Sequence, residues 1–374
     1  MLFPEVFSFL LVVDIGNGHD GIETAGELGN KLQQRICPPL PPRWELLTLS
    51  VTSHERLAKG KHMQVITAEQ VHNALSYPQL VDALEDAYSK DFTMPPRQVF
   101  LLDDDDSNHD AFALLPSWNG DVIGVKAFTY FPSPKPGNKS LYSQILLFNR
   151  DGGQPLALVD GTSVTFWRTA GISGLATRLL SREDSDTLLV LGTGNLAPYM
   201  IRANASVRDL KRVLVWGRSP EKAQAVIDGV KANYEGIDFQ VASDLQSACG
   251  DADIIVAATG SHEPLVLGEW VKPGTHTDFI GNHHATKREC DTELIVKSKV
   301  YVDSRVNAFK EGGEILVPMS EGKFSKEDVA GELTEMCARS VPLRENAEEI
   351  TLFKSIGMAM SDLVGASAVY KACS

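Results

Sequence analysis

The chain has 374 residues, 43% of them hydrophobic and 22% charged, with 35 Lys and Arg against 49 Asp and Glu. That length accommodates two domains with a sizeable core, and the composition excludes wholesale disorder. A formal charge of −14 is the wrong sign for a nucleic-acid or anionic-membrane surface, which needs clustered cations, so a small-molecule partner is expected.

Five cysteines, Cys37, Cys249, Cys290, Cys337 and Cys373, stand far apart with no C-x-x-C spacing. Neither a zinc knuckle nor a disulfide framework is expected, and a reducing, cytoplasmic setting fits. The apolar run "LFPEVFSFLLVV" contains Pro4 and Glu5 and has no basic residue before it, which argues against a signal peptide or a membrane span. Residues 1–62 show no sustained helical or strand period, as in "GNGHDGIETAGELGNK" and "CPPLPPRW"; the expectation is an extension outside the fold, with regular structure starting at Met63.

From Met63, "MQVITAEQVHNALSYPQLVDALEDAYSKDF" predicts a short strand, a Thr67 cap answered by Gln70 three residues on, and apolar residues at helical spacing. Over 97–160 the segments "RQVFLL", "AFALLPSW", "VIGVKAFTYF", "SLYSQILLFN" and "PLALVDG" predict an antiparallel meander, with Asp103 to Asp106 in a solvated hairpin. "SVTFWRTAGISGLATRLLS" reads as a linking helix. From 187, short apolar strands ("TLLVLG", "RVLVWG", "DFQVA", "DIIVAAT", "HTDFIG", "KVYVDS") alternate with helical segments, the pattern of a parallel sheet covered on both faces. A last helical stretch, "EEITLFKSIGMAMSDLVGASAVYKA", is expected to return to the first domain. The predicted fold is α/β: a Rossmann-type doubly wound parallel sheet over 183–351, and an α+β domain with an antiparallel sheet over 63–182 rejoined by 352–374.

The turn Gly192-x-Gly194-x-x-Ala197, with Asn195 and Leu196 inside it, follows a buried strand and opens a helix. Its first glycine permits the tight turn, the second lets backbone approach a pyrophosphate, and the small third residue lets helix and strand pack, with phosphates at the helix N-terminus. Twenty residues after Ala197, where a carboxylate would hold both ribose hydroxyls of NAD, stands Gly217, followed by Arg218 and Ser219. A guanidinium and a hydroxyl suit a 2′-phosphate, so NADPH is the expected cofactor, with NADH as the alternative; the plainer reading makes Arg218 a solvated arginine at a loop start. Thr259 and Gly281 are expected near the nicotinamide end.

Taken together, "MPPR", "GVKAF", "PLALVDGTSVTFWRTAGISGLA", "LGTGNLAPYMIRA", "VLVWGRSPEKA", "DFIGNHHATKRECD", "VYVDSR" and "FKSIGMAMSDL" resemble the ornithine cyclodeaminase and mu-crystallin family, from Met63 to the end. The resemblance implies that the first domain binds substrate and dimerises, that the protein is a homodimer, and that it acts on small amino or imino acids. Carried over by motif, Arg97, Lys126 and Arg168 converge on the substrate, where a guanidinium fork and an ammonium would orient a carboxylate. Taken alone, Arg168 could cap its helix and Lys126 could reach solvent from its strand.

One departure bears on the reaction. Cyclodeaminases of the family carry an aspartate in the turn after the fifth strand, where this chain has Gly281-Asn282-His283-His284 with His283 in that place. Together with the 2′-phosphate pattern, this disfavours redox-neutral cyclisation of ornithine. It favours NAD(P)H-dependent reduction of a cyclic 2-imino acid, Δ1-pyrroline-2-carboxylate to L-proline or its six-membered analogue to L-pipecolate. Lys126 and His283 are the catalytic candidates; His283 would handle the imine proton or merely contact the cofactor or substrate edge. Adjacent histidines diverge, so no metal is expected. Ornithine cyclodeaminase, alanine dehydrogenase and a non-catalytic NADPH-linked binding protein are the alternatives.

Overall fold

The structure, a computed structural model, describes residues 63–103 and 110–374. The extension expected over 1–62 and residues Asp104 to Asp106 of the expected acidic hairpin lie outside the described residues.

Strand β1 (Gln64–Ile66) leads into α1 (Ala68–Ala74) and α2 (Tyr77–Tyr88). The Thr67 cap forms as expected: its Oγ1 accepts from Gln70 N–H while Gln70 Oε1 accepts from Thr67 N–H at 2.9 Å. The single apolar helical pattern is nevertheless two helices. Pro78 sits in the first turn of α2, and a helix continuing through it would drive the proline ring into the Ala74 carbonyl.

Strands β2 (Gln98–Leu101), β3 (Ala111–Trp118), β4 (Val122–Tyr130), β5 (Leu141–Asn149) and β6 (Pro155–Asp160) pair antiparallel in succession, and β1 adds parallel to β6. The result is a mixed six-stranded sheet in the order β1-β6-β5-β4-β3-β2. Helix α3 (Gly161–Leu180) starts directly after β6, its first turn capped by Asp160 Oδ1, which accepts from Ser163 N–H at 2.8 Å. It is mostly buried because it runs between the two sheets, touching β5 on one side and β11 on the other. Gly174 permits that position, since a Cβ there would lie 3.1 Å from the Ala203 carbonyl oxygen.

The second sheet contains β7 (Thr187–Leu191), β8 (Arg212–Trp216), β9 (Asp238–Val241), β10 (Ile254–Ala257), β11 (His276–Phe279), β12 (Lys299–Val302), β13 (Val329–Glu332) and β14 (Thr351–Lys354). All pairs are parallel, in the order β13-β12-β14-β11-β10-β7-β8-β9. Two-residue periodicity divides its apolar side chains between faces. Leu189, Leu191, Leu214 and Ile255 enter one core cluster, whereas Leu188, Val190, Val213 and Val256 enter another. Helices α4 (Ala197–Ala205), α5 (Pro220–Asp228), α6 (Leu245–Asp251), α7 (Thr292–Lys297), α8 (Arg305–Glu311), α9 (Gly313–Ser320) and α10 (Leu333–Cys337) connect these strands.

The domain division needs one correction. Thr351–Lys354, assigned from residue 352 to the returning segment, is strand β14 and pairs with both β11 and β12. All four residues are buried, and so short an apolar run merges with the helical pattern that follows it. Only α11 (Ala359–Cys373) crosses back, packing on α2, α3 and strands β3 to β5. Among the described residues no helix is long and apolar enough to cross a membrane.

Strand order reverses between β7 and β10, which opens a crevice at the carboxyl ends of those two strands, the usual ligand position of an open parallel sheet.

Candidate functional site

The crevice holds a cleft of about 530 Å³ bordered by Gly192–Gly194, Trp216–Arg218 and Ala258–His262. Gly192 has φ +114°, and a Cβ on it would lie 2.7 Å from the Ala258 carbonyl oxygen; only glycine lets the turn after β7 pass so close to β10. Gly194 has nothing within 4 Å of its virtual Cβ, so its backbone is open to a ligand. Ala197 begins α4 and is buried, while Asn195 is exposed and Leu196 faces the neighbouring cavity. The N-terminus of α4, which has no side-chain cap, beside an open glycine suits a pyrophosphate.

At the tip of β8, Arg218 is exposed and lines the cleft. Gly217 is required by packing, since a Cβ there would sit 2.5 Å from Thr193 Cγ2. Ser219 is otherwise engaged: its Oγ accepts from Lys222 N–H at 3.3 Å as the cap of α5 and donates to Glu221 Oε2 at 2.6 Å.

A second cavity of about 340 Å³ shares Ala258, Thr259 and Gly260 with the first and is otherwise bordered by Thr165, Arg168, Leu196, Gly281, His283 and Ser355–Gly357. Sequence-distant elements meet here. Arg168 on α3 donates through Nε to Asp362 Oδ1 at 3.0 Å, and Lys126 on β4 donates through Nζ to the same oxygen at 3.1 Å and to Thr165 Oγ1 at 2.6 Å. Lys126 therefore lies behind Thr165. Burial pushes its ammonium below the ordinary lysine value, opposed by the Asp362 carboxylate and reinforced by Arg168. The turn Ser355–Gly357 is tied to Asp303, whose Oδ2 accepts from Ser355 Oγ and from the N–H groups of Ile356 and Gly357 at 2.6–3.0 Å. Gly357, at φ +100°, lets Arg168 lie flat against it: a Cβ would be 3.1 Å from Arg168 Nη1.

Arg97 is placed differently from Lys126 and Arg168. It is ion-paired with Glu311 at the end of α8 and contributes its charge to the field at His283. His283 is open to the cavity, yet loss of bulk solvent there, together with Lys354, Arg168, Arg97 and His284, holds its imidazole well below the ordinary value. It is neutral at pH 7.

Four participants escaped sequence reasoning. Asp362 stands in "GMAMSDL" and Lys354 in "TLFKSI"; both are lone charges in apolar runs and are buried, a pattern that marks a partnered, structured charge. Glu289 and Glu314 are also buried but sit in polar stretches that carry no such contrast. Asp362→Asn should lower unfolding free energy by about 3 kcal/mol, because it leaves Lys126 and Arg168 in the interior without their anion. Lys126→Met placed in the same chain should recover part of that loss in denaturant titrations; strictly additive losses would contradict the shared-anion arrangement.

Comparison with known proteins agrees with this architecture. The sequence model of the "Ornithine cyclodeaminase/mu-crystallin family" matches residues 61–374. A Delta(1)-pyrroline-2-carboxylate reductase of Colwellia psychrerythraea is 50% identical over 310 residues, 82% of this chain and 98% of the relative. Among solved structures, the Thermococcus litoralis Delta(1)-pyrroline-2-carboxylate reductase, in complex with NADH and L-proline, superposes with a TM-score of 0.77 at 30% identity, covering 83% of this chain and 97% of the other. An archaeal alanine dehydrogenase dimer with bound NAD gives 0.76 at 29% identity, covering 83% and 96%. With its two sheets, its glycine turn and a family match spanning all of the described residues, the chain belongs to the ornithine cyclodeaminase/mu-crystallin family.

Proposed function

We propose that this protein is an NAD(P)H-dependent imine reductase that converts Δ1-pyrroline-2-carboxylate to L-proline, and accepts the six-membered Δ1-piperideine-2-carboxylate to give L-pipecolate. The observation that carries this reading is the junction of the two cavities at Ala258–Gly260, with the larger shaped for a dinucleotide and the smaller walled by Arg168. The reductase name of the 50% identical relative, and the NADH and L-proline bound by the Thermococcus enzyme, support it.

When bound, the reduced dinucleotide supplies a hydride to the C=N carbon; nicotinamide is oxidised, and the imine takes up one proton to become a secondary amine. The chain's residues do the rest. Arg168 holds the substrate carboxylate, and Arg97 joins it by exchanging Glu311 for the substrate. Lys126 donates to Thr165 Oγ1, which borders the cavity, and serves through that hydroxyl as the acid that completes the amine. His283, held neutral, orients the substrate or nicotinamide edge by hydrogen bonding and is not the proton source. Fixed cations around an anionic substrate replace solvent without reorganising during reaction.

NADPH is the preferred cofactor in this reading. Arg218 stands exposed on the cleft wall and can meet a 2′-phosphate, whereas Ser219, engaged as a cap, contributes less than the sequence suggests. A second copy of the chain is the expected partner. Phe100 on edge strand β2 and Tyr142 on β5, exposed at 48% and 49%, lie in register through Phe112 and Thr129 on one face of the sheet, and α3 and α11 cover the opposite face. A patch of this kind marks an interface.

The purified protein should oxidise NADPH at 340 nm with Δ1-pyrroline-2-carboxylate and release no ammonia from ornithine in the presence of NAD; ammonia without oxidation would reverse the assignment. Arg218→Ala should raise KM for NADPH about tenfold to a hundredfold, the value of a charge-assisted hydrogen bond, and leave KM for NADH within about twofold. An equal effect on both cofactors would remove Arg218 from the 2′-phosphate site. Light scattering after size exclusion should give twice the chain mass, and Phe100→Glu should shift it to the monomer; a monomeric parent would contradict the interface.

A further inference from the structure

The loops that close the nicotinamide end are held by a buried carboxylate that no step above uses. Glu289 is fully buried. Its Oε1 accepts from both the N–H and the Oγ1–H of Thr259 at 2.7 Å, and its Oε2 accepts from Gly281 N–H at 2.7 Å. Thr259 follows β10 and lines both cavities, while Gly281 follows β11 and lines the smaller one. The two segments also touch directly, since a Cβ on Gly281 would overlap the Thr259 carbonyl oxygen. Behind Glu289 stands a second tier. Glu314 Oε1 accepts from Glu289 N–H at 2.9 Å, and Glu314 Oε2 lies 2.8 Å from Lys354 Nζ, which donates to the Asn282 carbonyl at 2.9 Å.

Resting on the dinucleotide reading above, we infer that Glu289 is a positioning residue that clamps the Thr259 and Gly281 loops into the wall facing the nicotinamide, so that reduced-cofactor binding depends on its being ionised. The carboxylate accepts from all three donors with charge on both oxygens, whereas a neutral carboxyl turns one oxygen into a hydroxyl that accepts weakly and sets its own O–H among N–H donors. Glu289 hydrogen-bonds the Thr259 and Gly281 segments and makes no hydrogen bond to the Gly192–Gly194 turn or Arg218, so its loss weighs on the nicotinamide end first.

Ionisation has consequences within the working pH range. Burial pushes Glu289 up to about 7, with Lys354 and the Thr259 donors opposing and Glu314 reinforcing the shift. The charged groups facing it are Lys354 from β14 and Glu314 from α9. As pH falls through about 7, Glu289 takes up a proton and the clamp loosens, so affinity for the nicotinamide-bearing ligand falls on the acid side.

Tryptophan fluorescence, with Trp216 in the cleft wall, can follow titrations of wild type and Glu289→Gln with NADPH and with 2′-phospho-ADP-ribose, which lacks the nicotinamide. The glutamine variant should bind NADPH about tenfold more weakly and the fragment within about twofold of wild type. Wild-type affinity for NADPH should fall below pH 7, and the variant should lose that inflection. Parallel losses for both ligands, unchanged NADPH affinity, or an inflection that persists in the variant would each overturn the clamp. A wild type that binds neither NADPH nor NADH would overturn the dinucleotide reading along with it. Should Glu289→Gln not fold, amide exchange in wild type decides: protection of the Thr259 and Gly281 amides that weakens below pH 7 is expected, and unprotected exchange at pH 8 would reject it.

Discussion

A buried lysine and carboxylate and a half-buried arginine determine how this site is assembled. Asp362 Oδ1 accepts from Lys126 on β4 and from Arg168 on α3 at 3.0–3.1 Å, while Asp362 itself stands on α11. Three elements separated by up to 236 positions of sequence are thus tied at one oxygen. Desolvating such charges is costly, and breaking one member of the set leaves the others uncompensated. The cost is met because the final helix returns to the first sheet and carries the anion with it. This explains why the last segment contributes to a site that is otherwise built from the middle of the chain.

The same placement resolves an electrostatic contrast. The protein as a whole is acidic, with a formal charge of −14, yet the charges acting on His283 are the cations Lys354, Arg168 and Arg97, which add to desolvation in depressing its imidazole. A cationic cavity in an acidic body focuses a small anion into one place and deters anionic macromolecules elsewhere. The neutral histidine is a product first of lost bulk solvent and then of that field. A protonated His283 would add another positive charge among cations, whereas Lys126 is held by Thr165 and Asp362 at the back of the cavity.

Periodicity and turn chemistry made much of the fold legible. The Thr67 capping box, the meander from 98 to 160 and the buried parallel strands each follow from local rules that tertiary contacts did not override. Strand β14 was missed because four buried residues before a helix carry no period of their own. At the site, the glycine turn and Arg218 were readable because backbone approach to phosphate demands particular residues at particular spacings. Arg168 and Lys126 came from family likeness, and the structure joins them. Asp362 and Lys354 carried only the lone-charge-in-an-apolar-run signal, which names no partner, and Glu289 and Glu314, carboxylates serving backbone N–H groups in polar stretches, left no local pattern. Ser219 shows a use that its sequence position does not reveal: the hydroxyl expected at a ligand also caps α5.

The account stands on the smaller cavity being the seat of the amino acid, with the larger holding the dinucleotide beside it. A crystal structure of the protein soaked with NADP+ and L-proline tests this most directly. The account predicts the proline carboxylate against the Arg168 guanidinium, its ring carbon facing the nicotinamide across Ala258–Gly260, and the Arg97 to Glu311 pair opened. Proline bound outside that cavity, or a carboxylate that leaves Arg168 untouched, would contradict it.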